Sequence, residues 1–342
     1  MRPIKLVGGF GSPYSRKMRA VLRYRRIVFR WIMRGSRDDV GIPPVPVALI
    51  PVLVFPGEDG AADEAMIDST FQIKRLESIF TERSLVPGDP ALAFLHELLE
   101  DFGDEWMTKP MFHYRWKYDA DIHKASHVLA LDRDLQMSPA RLNQASAFFA
   151  ERQIARLRVV GSNDITTPVI EDSYRRCLRL IDEHLQAGHS FLMGSRPGAG
   201  DFGLFGQLSQ LAHFDPTPSA IAAREAPRVV SWVSHMDDLS DLEPGDWPAR
   251  DSIAPTLRAF FVEFGRVYAP FLIANAHAIA SRADRVDCEI DGRQWLQQPF
   301  PYQAKCVRWL REGRAALRAA DRAFVDSYLD GTGTEAIFTA KI

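Results

Sequence analysis

The sequence predicts a small α/β domain, then an all-helical domain, then a mostly helical C-terminal extension. In the first part, short apolar runs alternate with helical patterns. The stretch "SLVPGDPAL" (84–92) is rich in proline and glycine, as linkers are, and the apolar spacing after it is helical almost throughout. The predicted boundaries are 1–84 for the α/β domain, 85–92 for the linker, 93–243 for the helical domain and 244–342 for the extension, which we expect to pack on the helical domain.

The N-terminal elements follow from their local patterns. The helix of the segment "GSPYSRKMR" (11–19) is expected to begin with Ser12 as N-cap and Pro13 at the first helical position. In the extension, Asp291-Gly292 lies between two alternating runs and predicts a β-hairpin turn. The other N-terminal elements expected are strands over 4–10, 27–33 and 50–55, a turn over 57–66 and a helix over 68–80.

Composition limits the classes of function. The chain has 342 residues, of which 46% are hydrophobic and 25% charged, with a formal net charge of -2. No basic field favours nucleic acid or anionic lipid. Prolines interrupt the longest apolar run, 41–57, whereas a membrane helix needs ~20 continuous apolar residues. Because the N-terminus also lacks a signal-peptide pattern, we expect a soluble cytoplasmic protein that binds neither nucleic acid nor membrane.

The cysteine and histidine spacings do not favour a metal site. Cys177, Cys288 and Cys306 are far apart and form no CxxC pair, so they are expected to be buried thiols in a reducing compartment. His123 and His127 are four residues apart but lack the glutamate of an HExxH motif. We therefore expect no metal cofactor.

The loop before the first predicted helix is the strongest candidate for chemistry. A helix N-terminus presents free N–H groups and a partial positive charge, and it can stabilise a thiolate. A serine hydroxyl can accept from a backbone N–H and donate to a sulfur atom. Serine at both 12 and 15 excludes dithiol exchange in this loop. Ser12 is the preferred candidate because it lies at the N-terminus of the predicted helix, and Ser15 remains an alternative.

Four segments together resemble the glutathione S-transferase superfamily. They are "SPYSRKMRAVL", "IPVLV", "IDST" and "FLMGSRPGAGDFGLFGQL", in that order, and the resemblance covers about residues 1–240. It implies a thioredoxin-like N-terminal domain followed by an all-α glutathione-transferase-type domain. The extension lies outside the usual length of the family.

The resemblance also implies binding residues. Tyr14 is a third candidate for the sulfur contact, because some members of the family donate from a tyrosine. A cis-proline at Pro51 would let the backbone of Ile50 pair with the cysteinyl part of glutathione, with "VPV" (45–47) as the rival position. Asp68 and Ser69, at the start of the next helix, would bind the γ-glutamyl end. His113, Tyr114 and Trp116 would line the pocket for the electrophile.

The resemblance implies an enzyme with glutathione as co-substrate. It would bind glutathione as a thiolate, transfer it to a hydrophobic electrophile and act as a homodimer. The alternative is a non-catalytic binding or assembly protein of the same fold, in which the extension enlarges an interface or docks a partner.

Overall fold

The computed structural model describes residues 2–57 and 61–342 of the chain. Its N-terminal part contains a four-stranded mixed sheet in the order β2-β1-β3-β4, with β1 parallel to β2 and antiparallel to β3. This small mixed sheet confirms the predicted α/β domain. The elements are β1 (Ile4–Gly8), α1 (Pro13–Tyr24), β2 (Phe29–Met33), β3 (Val52–Phe55), β4 (Glu64–Met66) and α2 (Ser69–Ile79).

The sheet buries both of its faces. On one face, Leu6 and Leu53 pack into the main core together with Met18 of α1. On the other face, Val7 and Val52 belong to a smaller apolar cluster. The turn predicted over 57–66 is wrong at its end, because Glu64–Met66 pairs with β3, and residues 58–60 lie outside the described residues.

The second part is helical, as predicted. Helix α9 is its centre: all of its residues are buried, and it packs against both α1 and α3. The elements are α3 (Pro90–Asp101), a π-helical segment (Phe102–Trp106), α4 (Thr108–Lys117), α5 (Asp119–Leu131), α6 (Pro139–Ile154), α7 (Leu157–Val160), α8 (Thr167–Gln186), α9 (Ala199–Leu211), α10 (Pro216–Glu225) and α11 (Pro227–Met236).

The extension contains the predicted hairpin between two groups of helices. Asp291 and Gly292 have φ values of 53° and 71°, the positive values that a type I′ turn requires. The single helix expected over 302–329 is divided at Leu317–Arg318, where the backbone is extended. The elements are α12 (Leu257–Glu263), a π-helical segment (Phe264–Tyr268), α13 (Ala269–Ser281), β5 (Val286–Ile290), β6 (Arg293–Gln297), α14 (Pro301–Ala316), α15 (Ala319–Leu329) and α16 (Ala336–Thr339).

The extension shares the main hydrophobic core with the rest of the chain. Trp295 of β6 and Phe271 of α13 both contact the ring of Trp106 in the helical domain. The extension also contacts the N-terminal domain, where Trp309 of α14 packs edge-on against Phe71 of α2. No helix among the described residues combines the length and apolar character needed to cross a bilayer.

Candidate functional site

Ser12 lies at the N-terminus of α1, where the sequence places it. Its Oγ accepts a hydrogen bond from Ser15 N at 3.2 Å, and its own N donates to Gly9 O at 3.1 Å. The residue is partly exposed. Because its oxygen serves as the acceptor of the cap, the hydroxyl proton is free to be donated to a ligand atom.

The two alternative donors point elsewhere. Ser15 is fully buried, and its Oγ accepts from Gly9 N at 3.3 Å. A Cβ at Gly8 would lie only 2.6 Å from that oxygen, so the strand encloses it. The Tyr14 hydroxyl donates to the carbonyl oxygen of Asp104 at 2.9 Å. Burial, with smaller contributions from nearby carboxylates, raises the pKa of Tyr14 well above its ordinary value.

The helical domain holds the loop that carries Ser12. Arg115 of α4 donates to Gly11 O at 2.6 Å, and Gln210 of α9 donates to Phe10 O at 3.1 Å. Arg115 is itself fixed by an ion pair with the buried Asp215 at 2.8 Å. Two helices of the helical domain, α4 and α9, therefore hold the β1–α1 loop of the N-terminal domain in position.

The peptide bond between Ile50 and Pro51 is cis, as the resemblance implies. Residues 2–57 and 61–342 contain no second cis bond, so the rival position in "VPV" (45–47) is trans. The loop lies beside the one that carries Ser12, because a Cβ at Gly9 would be 3.5 Å from Cδ1 of Ile50. Gln72 of α2 donates to Pro51 O at 3.0 Å. The turn before β3 thus contacts the β1–α1 loop on one side and α2 on the other.

Asp68 and Ser69 form the N-terminus of α2. Asp68 is the N-cap, and its Oδ1 accepts from Thr70 N at 3.2 Å. Its other oxygen, Oδ2, accepts from the hydroxyl of Tyr302, in α14, at 2.7 Å. Ser69 is 5% exposed. A residue of the extension therefore contacts the predicted γ-glutamyl site directly.

A buried lysine connects α1, α2 and α3. Lys17 Nζ lies 2.7 Å from Glu100 Oε1, 2.6 Å from Asp104 Oδ2 and 3.4 Å from Ser69 Oγ. Burial alone would lower the pKa of Lys17, but the carboxylates of Asp104 and Glu100 outweigh it and hold that pKa above its ordinary value. Lys17 is therefore a fixed cation behind the α2 terminus.

Three carboxyl groups, one of them that of Asp104, cluster where α3 passes into its π-helical segment. Burial raises the pKa of Asp101 to about 7 and that of Asp104 to about 6. Burial, together with the charges of Asp101 and Asp104, raises the pKa of Glu105 to about 8. The extension contacts two of these groups: Tyr268 donates to Asp101 at 2.7 Å and Gln303 to Glu105 at 3.0 Å.

The residues predicted to line an electrophile pocket are enclosed. His113 is fully buried, with Nδ1 2.8 Å from Ser162 Oγ. Tyr114 packs against Tyr174 and is 1% exposed, and Trp116 is 2% exposed. A cavity of about 270 Å³ lies elsewhere, between α2, the linker, α3 and α14. The three aromatic side chains are therefore part of the helical packing in this structure.

The histidine pair of α5 does not form a metal centre with other ligands. The rings of His123 and His127 are stacked with centroids 4.4 Å apart. Within residues 2–57 and 61–342, no group of three or more His, Cys, Asp or Glu side chains could hold a metal ion.

Sequence reasoning missed Lys17, Gln72 and Tyr302. The first left a signal: Lys17 shares one face of α1 with the buried Val21 and Tyr24, so a charge stands on an apolar stripe. Gln72 is likewise buried on α2. Tyr302 left no local signal, because its partner is 234 positions away in the sequence.

Comparison with known proteins supports this architecture. Residues 6–84 match the family model described as glutathione S-transferase, N-terminal domain. No curated protein matches the sequence.

The solved structures that match this chain share little sequence with it. The beta-etherase LigF from Sphingobium sp. strain SYK-6 is 17% identical over 76% of this chain and 99% of its own, with a TM-score of 0.47. A glutathione S-transferase from Methylobacterium radiotolerans, in complex with glutathione sulfonate, is 17% identical over 74% of this chain and 100% of its own, with a TM-score of 0.43. A glutathione transferase family member from Pseudomonas fluorescens Pf-5, with two glutathione molecules bound, is 16% identical over 68% and 86%, with a TM-score of 0.42.

The family match and the order of the folded parts agree. The matched residues form the mixed sheet with α1 and α2, and helices follow, as in the architecture that the sequence predicts. Residues 6–84 are thus similar to the N-terminal domain of glutathione S-transferases, and the described residues that follow them are largely helical.

Proposed function

We propose that the protein is a glutathione transferase that binds glutathione as its thiolate and transfers it to a hydrophobic electrophile. One observation carries the proposal: the capped N-terminus of α1, the cis Ile50–Pro51 bond and the capped N-terminus of α2 lie together beside one sheet. Each provides one kind of contact that glutathione needs. Ser12 would meet the sulfur atom, the Ile50 backbone the cysteinyl unit, and Asp68 with Ser69 the γ-glutamyl end.

The energies available at Ser12 are sufficient for thiolate formation. Lowering a thiol pKa by about two units requires roughly 2.7 kcal/mol. A hydrogen bond to a charged sulfur contributes about 1.5–3 kcal/mol, and a helix N-terminus adds about 0.3–2 kcal/mol. The accessible hydroxyl of Ser12 favours it over the enclosed Ser15 and over Tyr14, which is engaged with Asp104 O. The thiolate would attack an electrophilic carbon and form a carbon–sulfur bond. In a substitution the leaving group departs with the electron pair of its bond to that carbon, and in an addition the electron pair of the attacked double bond moves to the neighbouring atom, which takes up a proton.

Calorimetric titration and thiolate absorbance test the proposal. Glutathione is titrated into wild type, Ser12→Ala and Ser15→Ala, and the ultraviolet absorbance of bound thiolate is followed against pH. In wild type, the thiol pKa of bound glutathione should lie about two units below its usual value. In Ser12→Ala, that pKa should rise by at least about one unit. The absence of binding to wild type in the millimolar range would exclude this function.

Ser138 provides a matched control for the loss of a helix cap. It precedes Pro139 as Ser12 precedes Pro13, and its side chain accepts from Arg141 N at 3.4 Å. Ser138→Ala removes an equivalent cap of α6, so it should leave the thiol pKa of bound glutathione unchanged. An equal change in both variants would mean that the effect of Ser12 is structural.

A non-catalytic binding protein of the same fold is the second candidate. The enclosure of His113, Tyr114 and Trp116 favours it, because these side chains leave no open pocket among themselves. Binding of glutathione with an unshifted thiol pKa would support this candidate. The resemblance also implies a cytoplasmic homodimer, and sedimentation equilibrium would test the dimer.

A further inference from the structure

We propose that Tyr302 of the C-terminal extension is a binding residue for the γ-glutamyl ammonium group of glutathione, acting together with Asp68. This inference rests on the proposed function, since it concerns the same ligand. The extension would then contribute one ligand contact to a site that is otherwise formed by the N-terminal domain.

The contacts at the α2 terminus separate two roles. The γ-glutamyl end carries both a carboxylate and an ammonium group. The first-turn N–H groups of α2 are donors without intrahelical acceptors, so they suit the carboxylate. Asp68 is an acceptor, and it suits the ammonium group. Its Oδ1 is used by Thr70 N, while its Oδ2 faces the hydroxyl of Tyr302 at 2.7 Å.

The hydroxyl of Tyr302 completes an acceptor pair. Because its proton is donated to Asp68 Oδ2, the lone pairs of its oxygen remain to accept a second hydrogen bond. An ammonium group brings three donors and no acceptor. Asp68 Oδ2 and the Tyr302 oxygen can therefore both accept hydrogen bonds from one ligand group. This pair of acceptors favours a cationic donor such as an ammonium group.

The extension holds Tyr302 in a fixed position. Its ring packs against Trp309, which in turn packs against Phe71 of α2. The next residue, Gln303, donates to both the carbonyl and the carboxyl of Glu105. Cys306 and Val307, in the turn of α14 that follows Tyr302, are buried in the main core. These contacts hold the Tyr302 hydroxyl beside Asp68.

The test compares two ligands and four variants of the full chain. The ligands are glutathione and glutaryl-cysteinylglycine, which keeps the terminal carboxylate and lacks the amino group. Calorimetry gives the Kd of each for wild type, Tyr302→Phe, Asp68→Asn and the double variant. Tyr328→Phe is the matched control, because it also removes a hydroxyl from the extension, and that buried hydroxyl has no partner among the described residues.

The expected result is selective for the amino group. Tyr302→Phe should raise the Kd of glutathione about tenfold and that of the deamino analogue less than twofold. The Kd of glutathione for the double variant should be no higher than that for Asp68→Asn alone, because Tyr302 contributes only together with Asp68. Tyr328→Phe should leave both affinities unchanged.

Other results would overturn the inference. An equal loss for both ligands would show a general structural effect, and an unchanged or tighter Kd for glutathione would show that Tyr302 does not contribute or that it blocks the site. In those cases wild type still binds glutathione, and the proposed function stands. Failure of wild type to bind glutathione would overturn both.

Discussion

Two buried lysines join the parts of this molecule in opposite ways. Lys17 connects the N-terminal domain to the helical domain through the carboxylates of Glu100 and Asp104, at 2.7 and 2.6 Å. Lys109 connects the helical domain to the extension, and its Nζ lies 3.8 Å from the centroid of the Phe271 ring. Both side chains are at most 1% exposed.

The surroundings decide the charge of each amine. The two carboxylates hold the pKa of Lys17 above its ordinary value despite its burial. Burial lowers the pKa of Lys109 to about 7, and its close partners are neutral: Gln297 Oε1 at 2.9 Å and Val160 O at 3.2 Å. The first junction is therefore ionic, and the second is aromatic with a weakly basic amine. Burial alone predicts the lowered pKa of Lys109 but not the raised pKa of Lys17.

The largest expected effect is at the ionic junction. Lys17→Met leaves Glu100 and Asp104 buried without their cation, and breaking a buried ion pair from one side typically costs about 3–5 kcal/mol. Urea denaturation at neutral pH measures this loss in the free energy of unfolding. The triple variant Lys17→Met, Glu100→Gln, Asp104→Asn should recover most of it, because no uncompensated charge remains. A loss below about 1 kcal/mol in the single variant would contradict the ionic description.

The next effect is a pH dependence at the aromatic junction. The unfolded chain keeps the proton of Lys109 up to about pH 10.4, whereas the folded chain releases it near pH 7. The unfolded state then binds more protons between these values, so Lys109 makes stability rise with pH, by on the order of 1 kcal/mol per unit.

Lys109→Met should remove this rise. The difference between the unfolding free energies of wild type and variant removes the contributions of titrating groups that do not interact with Lys109, so it reports on Lys109 and on its charge interactions with Glu105 and Cys288. Between about pH 7 and pH 10, that difference should shift steadily in favour of wild type. Lys17 contributes no such slope there, since its raised pKa keeps it protonated in both states. A constant difference would mean that Lys109 remains charged in the folded protein.

Local signals explain what the sequence could predict. Ser12-Pro13, Asp68 and Asp291-Gly292 each fix a cap or a turn within a few residues, and the structure has all three. The first two of these patterns locate the N-termini of α1 and α2, where the candidate site lies. The order of domains follows from the change in apolar period at the linker.

Long-range contacts explain what the sequence could not predict. The pair of Lys17 and Asp104 spans 87 positions, and that of Tyr302 and Asp68 spans 234. Neither spacing has a periodicity to detect. The helix that carries His113 is buried on most sides, and its local spacing does not show which neighbour each side meets. An expected pocket wall therefore lies inside the helical packing. The π-helical segment that gathers the carboxyl groups was hidden within one continuous helical pattern.

The smallest expected effect comes from an exposed ion pair that spans the same two regions as Lys109. Asp89 caps α3 through Ala91 N at 2.9 Å, and it pairs with Arg250 of the extension at 2.7 Å. Both side chains are about one-third exposed, at 33% and 29%, so solvent screens the pair. Asp89→Asn keeps an oxygen for the cap and should cost at most about 1 kcal/mol, less in high salt.

Asp89→Ala separates the cap from the charge, because it removes both. It should cost about 1 kcal/mol more than Asp89→Asn in urea denaturation, and that added cost should not depend on salt. A salt-independent loss in Asp89→Asn as large as that of Lys17→Met would show that exposed and buried pairs contribute alike here. Burial would then not explain why loss of Lys17 destabilises the protein. The difference between the pKa values of Lys17 and Lys109 would depend on their partners alone.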